Sequence, residues 1–434
     1  MRHLPGSLWR CAGTVLFILA SANPTYAQSV GGWTVTDLGT LGGLVGEAND
    51  INEAGHVVGG SNTASGGDHA FLWTPSGGMV DLGTLGGSFS AAQAINNTGQ
   101  VVGLSSPASG PPRAFLWTAA GGMIDLGTLG GGFSFANDIN DAGQVVGVSS
   151  AASGSDHAFL WTLSGGMVDL GTLGGPNSEA QAINAAGEVV GRSDTASGDA
   201  HAFLWTAAGG MVDLGTLGGL NSGALDINET GLVVGRADTA SGDEHAFLWT
   251  AGGMIDLGTL GEAGSRSQAE GINDAGQVVG LFQIEGEDRA FYWTAADGMI
   301  ELPTLTGIES GASAINNAGR LAGYGDIATG DAHAVVWIND TDPPSPEEQI
   351  ESLETSLQAL VAGGSLKPAQ ANGLTRPLQN ALRSLANGRL ASACSQLFDF
   401  QVEVTRKVLD GALTPGEGIA LINTATSIRT ALGC

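Results

Sequence analysis

Residues 69–87 read HAFLWTPSGGMVDLGTLGG, and near copies of this stretch recur along most of the chain. The DLGTLGG phrase and its relatives occur seven times, and so does a third phrase, IN-x-x-G, which first starts at Ile51. The HAFLW phrase and its relatives start 44 residues apart, at His69, Arg113, His157, His201, His245, Arg289 and His333. Such regular spacing predicts a repeat protein in which each copy is one supersecondary unit.

Each repeat has the pattern of four short β-strands. In the second repeat these are residues 91–96, 100–105, 113–118 and 123–126, with glycine-containing turns between the first pair and the last pair. The AFLW segment is apolar on both alternating faces, so both faces of that strand must be covered. A repeat of about 40–45 residues with four strands is typical of a β-propeller blade.

We therefore predict an all-β, seven-bladed β-propeller of four-stranded blades over residues 28–340. The last repeat ends at Trp337 without a fourth strand, whereas Trp33–Leu38 precedes the first repeat as a spare strand. If the spare strand completes the last blade, the ring closes and no blade edge stays open. The alternatives are a stack of flat sandwiches and a parallel β-helix, although β-helix coils are shorter and lack hairpin turns.

The repeated phrases resemble the HAF repeats of secreted bacterial proteins, which are named for the His-Ala-Phe of the third strand. The resemblance covers residues 37–337 in seven copies. Repeats two and six depart from it at Arg113 and Arg289, and repeat seven reads HAVVW. The resemblance implies an extracellular protein and implies no known biochemical activity.

The first 27 residues have the pattern of a cleaved signal peptide. Arg2, His3 and Arg10 make the first ten residues basic, residues 11–22 form an apolar run, and a small-residue cleavage site ends at Ala27. The alternative is a retained membrane anchor. We expect the mature chain to be secreted, either extracellular or periplasmic, with no further membrane span.

The charge balance excludes two classes of partner. The formal net charge is −28, with only 15 Lys and Arg, whereas nucleic acids and anionic membranes need a basic surface. We expect a soluble monomer whose partner is an extracellular glycan or protein.

The region after the repeats has a different pattern. Residues 341–346 predict a Pro- and Asp-containing linker, and residues 347–434 a domain of four helices near 347–362, 367–387, 390–410 and 415–432. Pro377 is expected to kink or split the second helix. In an up-down bundle Cys394 and Cys434 come close together, which predicts a disulfide; two free thiols are the alternative. This region resembles the small helical modules that end many secreted bacterial proteins.

The repeated histidines and tryptophans are predicted to be structural. Histidines beside aspartates could indicate a metal site, but copies spread around a ring cannot share one ion, and two copies are arginine. We expect each histidine to bond a nearby aspartate or backbone group, and each tryptophan to lie in the core. No cofactor or metal site is predicted, although an acidic ring leaves calcium open. The histidines and tryptophans predicted to be structural are His69, His157, His201, His245, His333, Trp73, Trp117, Trp161, Trp205, Trp249, Trp293 and Trp337.

No enzyme motif of the hydrolase, zinc or phosphate-binding kind is present, so no catalytic residue is predicted. The loops between the second and third strands, and those between repeats, are the longer and more variable ones. They emerge at one end of the blades, which predicts the binding face. Its candidate residues are acidic: Asp194, Asp199, Asp238, Asp243, Glu244, Glu285, Glu287 and Asp288.

The function this favours is a secreted, non-catalytic binding or scaffold protein whose ligand is a carbohydrate, peptide or surface component. The alternative is an extracellular hydrolase or lyase that acts on polysaccharide. A third possibility is adhesion to a cell surface through the helical region.

Overall fold

The computed structural model describes residues 27–30, 32–262, 264–339, 344, 346–385 and 389–434. Apart from Ala27, the predicted signal peptide lies outside the described residues, as does most of the predicted linker. The rest consists of repeated four-stranded antiparallel sheets followed by four helices, as the sequence predicts.

The strands of the first half of the repeat region follow one another in antiparallel hairpins. In chain order they are β1 (Ala27–Val30), β2 (Trp33–Gly39), β3 (Gly42–Ile51), β4 (Val57–Thr63), β5 (Asp68–Thr74), β6 (Gly78–Asp81), β7 (Gly86–Ile95), β8 (Val101–Pro107), β9 (Arg113–Thr118), β10 (Gly122–Asp125), β11 (Gly130–Ile139), β12 (Val145–Ala151), β13 (Asp156–Thr162) and β14 (Gly166–Asp169).

The second half continues the same order without interruption by a helix. Its strands are β15 (Gly174–Ile183), β16 (Val189–Thr195), β17 (Ala200–Thr206), β18 (Gly210–Asp213), β19 (Gly218–Ile227), β20 (Val233–Thr239), β21 (Glu244–Thr250), β22 (Gly253–Gly258), β23 (Ser267–Ile272), β24 (Val278–Ile284), β25 (Glu287–Thr294), β26 (Gly298–Glu301), β27 (Ser310–Ile315), β28 (Leu321–Asp326) and β29 (Ala332–Asn339).

We number the sheets by their first strand: sheet 1 starts with β3, sheet 2 with β7, sheet 3 with β11, sheet 4 with β15, sheet 5 with β19, sheet 6 with β23 and sheet 7 with β27. One parallel bridge, between Asp68 and Phe89, joins sheets 1 and 2. In sheets 1 to 6 the four strands lie in chain order. The first strand of the second repeat begins at Gly86, five residues before the predicted start. This early part pairs only at Gly86 with Pro107, and the register shifts before Ser90, which hides the strand from a simple alternation pattern.

Sheet 7 has the order β1-β2-β29-β28-β27, so the spare N-terminal strand is β2 and it pairs with β29 from the other end of the repeat region. Trp33 and Val35 of β2 are buried, and Trp33 packs in one cluster with the fully buried Trp337. The two ends of the repeat region therefore hold each other in a single sheet.

A ring of buried asparagines connects all the sheets. Each is the Asn of an IN-x-x-G turn, and each donates its side-chain Nδ2–H to the backbone oxygen of the equivalent asparagine in the next sheet. The ring runs Asn52, Asn96, Asn140, Asn184, Asn228, Asn273, Asn316 and back to Asn52. The last bond, from Asn316 to Asn52, is 3.0 Å long. The sheets therefore form a closed circle.

The core lies between neighbouring sheets. The phenylalanine of the third strand is fully buried in sheets 1 to 6, for example at Phe159 and Phe203. The residue before this phenylalanine donates its backbone N–H to a serine of the next sheet. For example, Ala158 donates to Ser178 Oγ at 2.9 Å. Trp161 and Trp337 are buried, whereas the tryptophans of the other third strands are half-buried and pack against the same clusters.

The two ends of the sheets carry different connections, and we call them the turn face and the loop face. The turn face carries the turns between first and second strands, such as residues 52–56, and between third and fourth strands. The loop face carries the loops between second and third strands, such as residues 64–67, and the connections between sheets. First strands of neighbouring sheets contact each other around the whole circle, so they are its innermost strands.

The C-terminal helices are α1 (Pro346–Ala362), α2 (Pro368–Leu385), α3 (Leu390–Leu409) and α4 (Pro415–Ala431). They enclose one apolar cluster that contains Leu374, Leu397 and Phe400. The predicted disulfide is confirmed: Cys394 bonds Cys434, with their Cα atoms 5.9 Å apart. The helix α2 runs through Pro377 and is not split there. No helix in the described part of the chain is long and apolar enough to cross a membrane.

The helices contact the turn face where sheet 7 meets sheet 1. Glu347, in the first turn of α1, lies 3.5 Å from His56 Nε2, and both side chains are buried. The neighbouring Glu348 accepts a hydrogen bond from Arg320. His56 and Arg320 occupy the repeat position that directly follows IN-x-x-G, where other repeats carry residues such as Gln100. Among the seven repeats, the two beside the helices are the ones that carry a base at this position.

Candidate binding clefts on the loop face

Clefts open on the loop face between adjacent sheets, and their walls come from equivalent repeat positions. The cleft between sheets 1 and 2 has a volume of about 260 Å³, that between sheets 3 and 4 about 460 Å³, and that between sheets 4 and 5 about 190 Å³. Each is lined by the start of a first strand, the middle of a second strand and the ends of the loop that follows it. The same backbone frame therefore presents different side chains from one cleft to the next.

The cleft between sheets 3 and 4, called cleft 3/4, combines an apolar and a polar wall. Phe133 and Phe135 of β11 form the apolar wall. On the polar wall, Asn177 Nδ2 donates to Asp194 Oδ2 at 2.8 Å. The guanidinium of Arg192 lies 3.1 Å from Glu179 Oε2. These mutual bonds hold the polar side chains in place before any ligand arrives.

The cleft between sheets 4 and 5, called cleft 4/5, repeats the polar arrangement one sheet further on. Asn221 Nδ2 donates to Asp238 Oδ2 at 2.9 Å. Arg236 lies 3.4 Å from Glu244 Oε2 and hydrogen-bonds Gln268 of sheet 6. Both clefts share a wall, because Arg192 and its neighbour Ala200 line each of them.

The structure distributes the eight acidic candidates over the loop-face side of sheets 4, 5 and 6. Asp194 lines cleft 3/4, and Asp238 and Glu244 line cleft 4/5. Asp199 and Asp243 accept bonds from serines in their own loops. The remaining three lie in sheet 6, where Asp288 pairs with Arg266, Glu287 is close enough to Glu309 to raise the pKa of that carboxyl group, and Glu285 is in a left-handed turn. Of these eight residues, Asp238 and Glu244 line the same cleft.

No group of three His, Cys, Asp or Glu side chains that could hold a metal ion occurs among the residues the structure describes.

Each repeated histidine bonds the aspartate of the DLGTLGG phrase on the neighbouring strand, not the aspartate that precedes it. His69 Nδ1 donates to Asp81 at 2.8 Å, and His201 does the same to Asp213 at 2.8 Å. The equivalent pairs are His157–Asp169, His245–Asp256 and His333–Asp37. Where the histidine is replaced, Arg113 lies 3.9 Å from Asp125 and Arg289 lies 3.9 Å from Glu301. Every sheet thus has one base–acid pair between its third strand and the next strand of the sheet, which is β2 in sheet 7.

The His333–Asp37 pair differs from the others because it joins β29 to β2. Burial alone would raise the pKa of Asp37, but the hydrogen bonds from His333 and Gly39 outweigh it and lower that pKa. The same bond raises the pKa of His333. The pair is therefore favoured in its charged form, at the place where the circle closes.

Three half-buried aspartates on first strands were not identified from the sequence. Asp50 accepts the backbone N–H of Ile51 in its own sheet and that of Ile95 in the next. Burial, opposed by these bonds, raises the pKa of Asp50 to about 7. Asp138 and Asp226 are bonded in the same way, and burial raises their pKa values to about 6 and about 7.

These aspartates are 88 residues apart, twice the basic repeat. They therefore join the sheets in pairs, 1 with 2, 3 with 4 and 5 with 6, and leave sheet 7 unpaired. A sequence signal existed: the residue before IN-x-x-G is Asp in alternate repeats and Ala or Gly in the others.

Glu270 is a further carboxyl group that no repeat signal indicates. It lies on β23, and the equivalent residue of sheet 5 is Leu225. Burial raises its pKa to about 7, while a hydrogen bond from Gln268 and the charge of Arg236 lower it. Its stretch of sequence, residues 262–270, departs most from the repeat pattern.

Comparisons with known proteins give only distant likenesses. No protein-family model matches this chain, and no curated protein sequence matches it. TolB from Acinetobacter baumannii is 12% identical with a TM-score of 0.41, over 57% of this chain and 63% of TolB, less than two thirds of its length. A gluconolactonase from Xanthomonas campestris is 11% identical with a TM-score of 0.38, over 73% of this chain and 95% of the enzyme.

A mutant of Aleuria aurantia lectin, solved in complex with Fucalpha1-6GlcNAc, is 9% identical with a TM-score of 0.36, over 70% of this chain and 95% of the lectin. At such identities and scores, none of these proteins is taken as a guide to what this chain binds.

Proposed function

We propose that this chain is a secreted, non-catalytic binding protein built on a seven-bladed β-propeller, whose blades are sheets 1 to 7. The closed asparagine ring supports the blade count, since each sheet contributes one member. The repeated phrases support a place among HAF-repeat proteins. A disulfide in the helical region is consistent with an oxidising compartment, and hence with export.

The observation that carries the binding function is the set of equivalent clefts on the loop face. Their frame is constant, because it comes from the same repeat positions, whereas their linings differ in size, charge and polarity. The ring asparagines, by contrast, are the same in every repeat. The ligand is a carbohydrate, a peptide or another surface component.

The experiment uses the chain from residue 28 onward, screened on glycan and protein arrays beside two variants. Ala200→Trp fills the wall shared by clefts 3/4 and 4/5, and we expect it to weaken binding of the array ligand tenfold or more. Leu163→Trp is the matched control, because Leu163 is 84% exposed in a turn-face hairpin turn. Equal binding by both variants and the unaltered chain would contradict a role for these clefts.

Glu270 favours the second candidate, a polysaccharide hydrolase or lyase. A carboxyl group with a pKa near 7 can act as a general acid or base at neutral pH, and Arg236 and Glu244 of sheet 5 lie near Glu270. The discriminating measurement is product release: incubation with a bound polysaccharide should yield no reducing ends and no unsaturated products. Turnover that Glu270→Gln abolishes would favour the enzyme.

A further inference from the structure

Three side chains recur together on two consecutive sheets and on no other. At the arginine position the other repeats carry Gly60, Leu104, Val148, Leu281 and Tyr324. The two recurring sets, 44 residues apart, are Asn177, Arg192 and Asp194 on sheet 4, and Asn221, Arg236 and Asp238 on sheet 5. We call them subsite 4 and subsite 5.

Each subsite is organised in the same way. The asparagine amide donates to the aspartate at 2.8 Å in subsite 4 and at 2.9 Å in subsite 5, which fixes both side chains. In each, the arginine lies beside a glutamate, Glu179 or Glu244, so its charge is balanced locally. A subsite therefore offers fixed donors next to fixed acceptors, with one carboxylate more than guanidinium groups.

The subsites lie in adjacent clefts. Arg192 and Ala200 line both clefts and therefore form the wall between cleft 3/4 and cleft 4/5. Cleft 3/4 is bounded on sheet 3 by Phe133, Phe135 and Val148. We call the two adjacent clefts together the groove, which extends from an apolar end on sheet 3 across subsite 4 to subsite 5.

We propose that the groove binds a linear, neutral oligosaccharide, with successive sugar units at subsite 4 and subsite 5 and a ring face against the phenylalanines. This proposal rests on the binding function proposed above and names the ligand class of the same clefts. A repeated subsite suits a ligand that is itself a repeat, as a polysaccharide is.

The polar groups select hydroxyls over charges. A hydroxyl both donates and accepts, so neighbouring hydroxyls satisfy a guanidinium and a carboxylate at once. An anionic polymer would approach Asp156, Glu179 and Asp194 in cleft 3/4, which repel it. The same carboxylates would attract a cationic peptide, so oligolysine is the comparator that tests this ligand class most directly. The aromatic wall adds apolar contact of the kind that ligand pockets provide.

The test measures affinity against ligand length. Neutral homo-oligosaccharides of glucose, mannose, galactose and xylose, with two to six units, are titrated into the chain from residue 28 by calorimetry. Oligogalacturonate and oligolysine of equal length are the charged comparators. We expect at least one neutral series to bind, with Kd falling roughly tenfold or more between two and six units.

Two substitutions assign that length dependence to the groove. Arg236→Leu introduces the residue that sheet 6 carries at this position, and it should remove the gain from longer chains while short chains still bind. Arg192→Leu should weaken binding at all lengths, because Arg192 lines both clefts. Arg266→Leu, a surface arginine of sheet 6 outside the groove, is the control and should change neither. Circular dichroism melting curves confirm that each variant is folded.

Several outcomes overturn the proposal. Tighter binding of the uronate or of oligolysine would show the wrong ligand class, and so would binding of a neutral series with no dependence on length or on Arg236. In these cases the general binding function stands if Ala200→Trp still weakens binding of the array ligand tenfold or more. If Ala200→Trp has no effect on any ligand, the binding function of the clefts fails as well.

Discussion

The turn face and the loop face are made of the same repeats, yet they vary in opposite ways. On the turn face the asparagine of IN-x-x-G is present in every repeat and makes the same bond to the next sheet. On the loop face the residue that starts each cleft wall is Val45, Phe89, Phe133, Asn177, Asn221, Arg266 or Glu309. The turn face is constant because one sheet must fit the next there, whereas the loop face varies because it contacts only solvent or a ligand.

The physical difference is burial. Each ring asparagine accepts backbone N–H groups of its own turn and donates to the next sheet, so its loss leaves buried polar groups without partners. The loop-face pairs, such as Asn177 with Asp194, lie where water can replace a missing partner. A substitution is therefore costly on one face and tolerated on the other, which is what allows the clefts to diversify.

The largest expected effect comes from breaking the circle. Removal of residues 27–39 takes away β2, exposes Trp337 and loses the burial of Trp33 and Val35, worth about 4–6 kcal/mol together. We expect the melting temperature to fall by roughly 10 °C or more in calorimetry. The control is removal of residues 27–32, which takes away β1 and leaves β2 in place. A similar fall in both would show that closure by β2 is not what stabilises the ring.

A matched pair of substitutions tests the two faces directly. Asn140→Ala removes a buried ring member that bonds Asn184, and it should lower the free energy of unfolding by about 3 kcal/mol. Asn177→Ala removes an exposed loop-face amide, and it should cost less than about 1 kcal/mol. Urea denaturation measures both. Equal costs would contradict the division into a constant structural face and a variable one.

The three first-strand aspartates predict a pH dependence of stability. Burial raises their pKa values above the 3.8 of a free aspartate, to about 7, 6 and 7, so the folded state holds their protons more tightly. Their contribution to the free energy of unfolding is thus greatest below pH 4 and is lost as the pH rises to about 7.

The triple variant Asp50→Ala, Asp138→Ala and Asp226→Ala carries the residue that alternate repeats have naturally, as at Ala94 and Ala182. Between pH 4 and pH 8 the free energy of unfolding of this variant should fall less than that of the unaltered chain, with a difference on the order of a few kcal/mol. Denaturation series at fixed ionic strength measure both. An unchanged pH profile would show that these aspartates titrate as free ones do.

The smallest effect is expected at a position that varies without harm. His201→Arg introduces the residue that repeats two and six carry, and Arg can still pair with Asp213 as Arg113 does with Asp125. The free energy of unfolding should change by less than about 0.5 kcal/mol in urea titration. His201→Leu, which cannot pair, is the comparison, and a large loss with arginine would mean that the imidazole has a role beyond pairing.

The sequence predicts most of the fold because its period, turns and alternation act locally. The strand content, the four helices and the disulfide follow from spacing alone. The early start of β7 at Gly86 was missed because only one residue of that stretch pairs before the register shifts. The histidine partner was missed too, because Asp81 is twelve residues away along the chain and becomes adjacent only through strand pairing.

The candidate site was predicted less well. The acidic composition of the loop face drew attention to carboxylates, whereas the clefts also depend on Phe133, Asn177 and Arg192. Those residues vary between repeats, so a pattern built on what recurs passes over them. Which side chains meet across two sheets depends on how the sheets pack, and no spacing within one repeat contains that information.

The contact of α1 with His56 and Arg320 determines how the molecule can be displayed. Whatever attaches to the helices approaches from the turn face, while the groove opens at the opposite end of the strands. Second strands of seven residues, such as β4, are roughly 23 Å long at about 3.3 Å per residue. A partner bound to the helices and a ligand bound in the clefts would therefore be separated by at least the length of these strands.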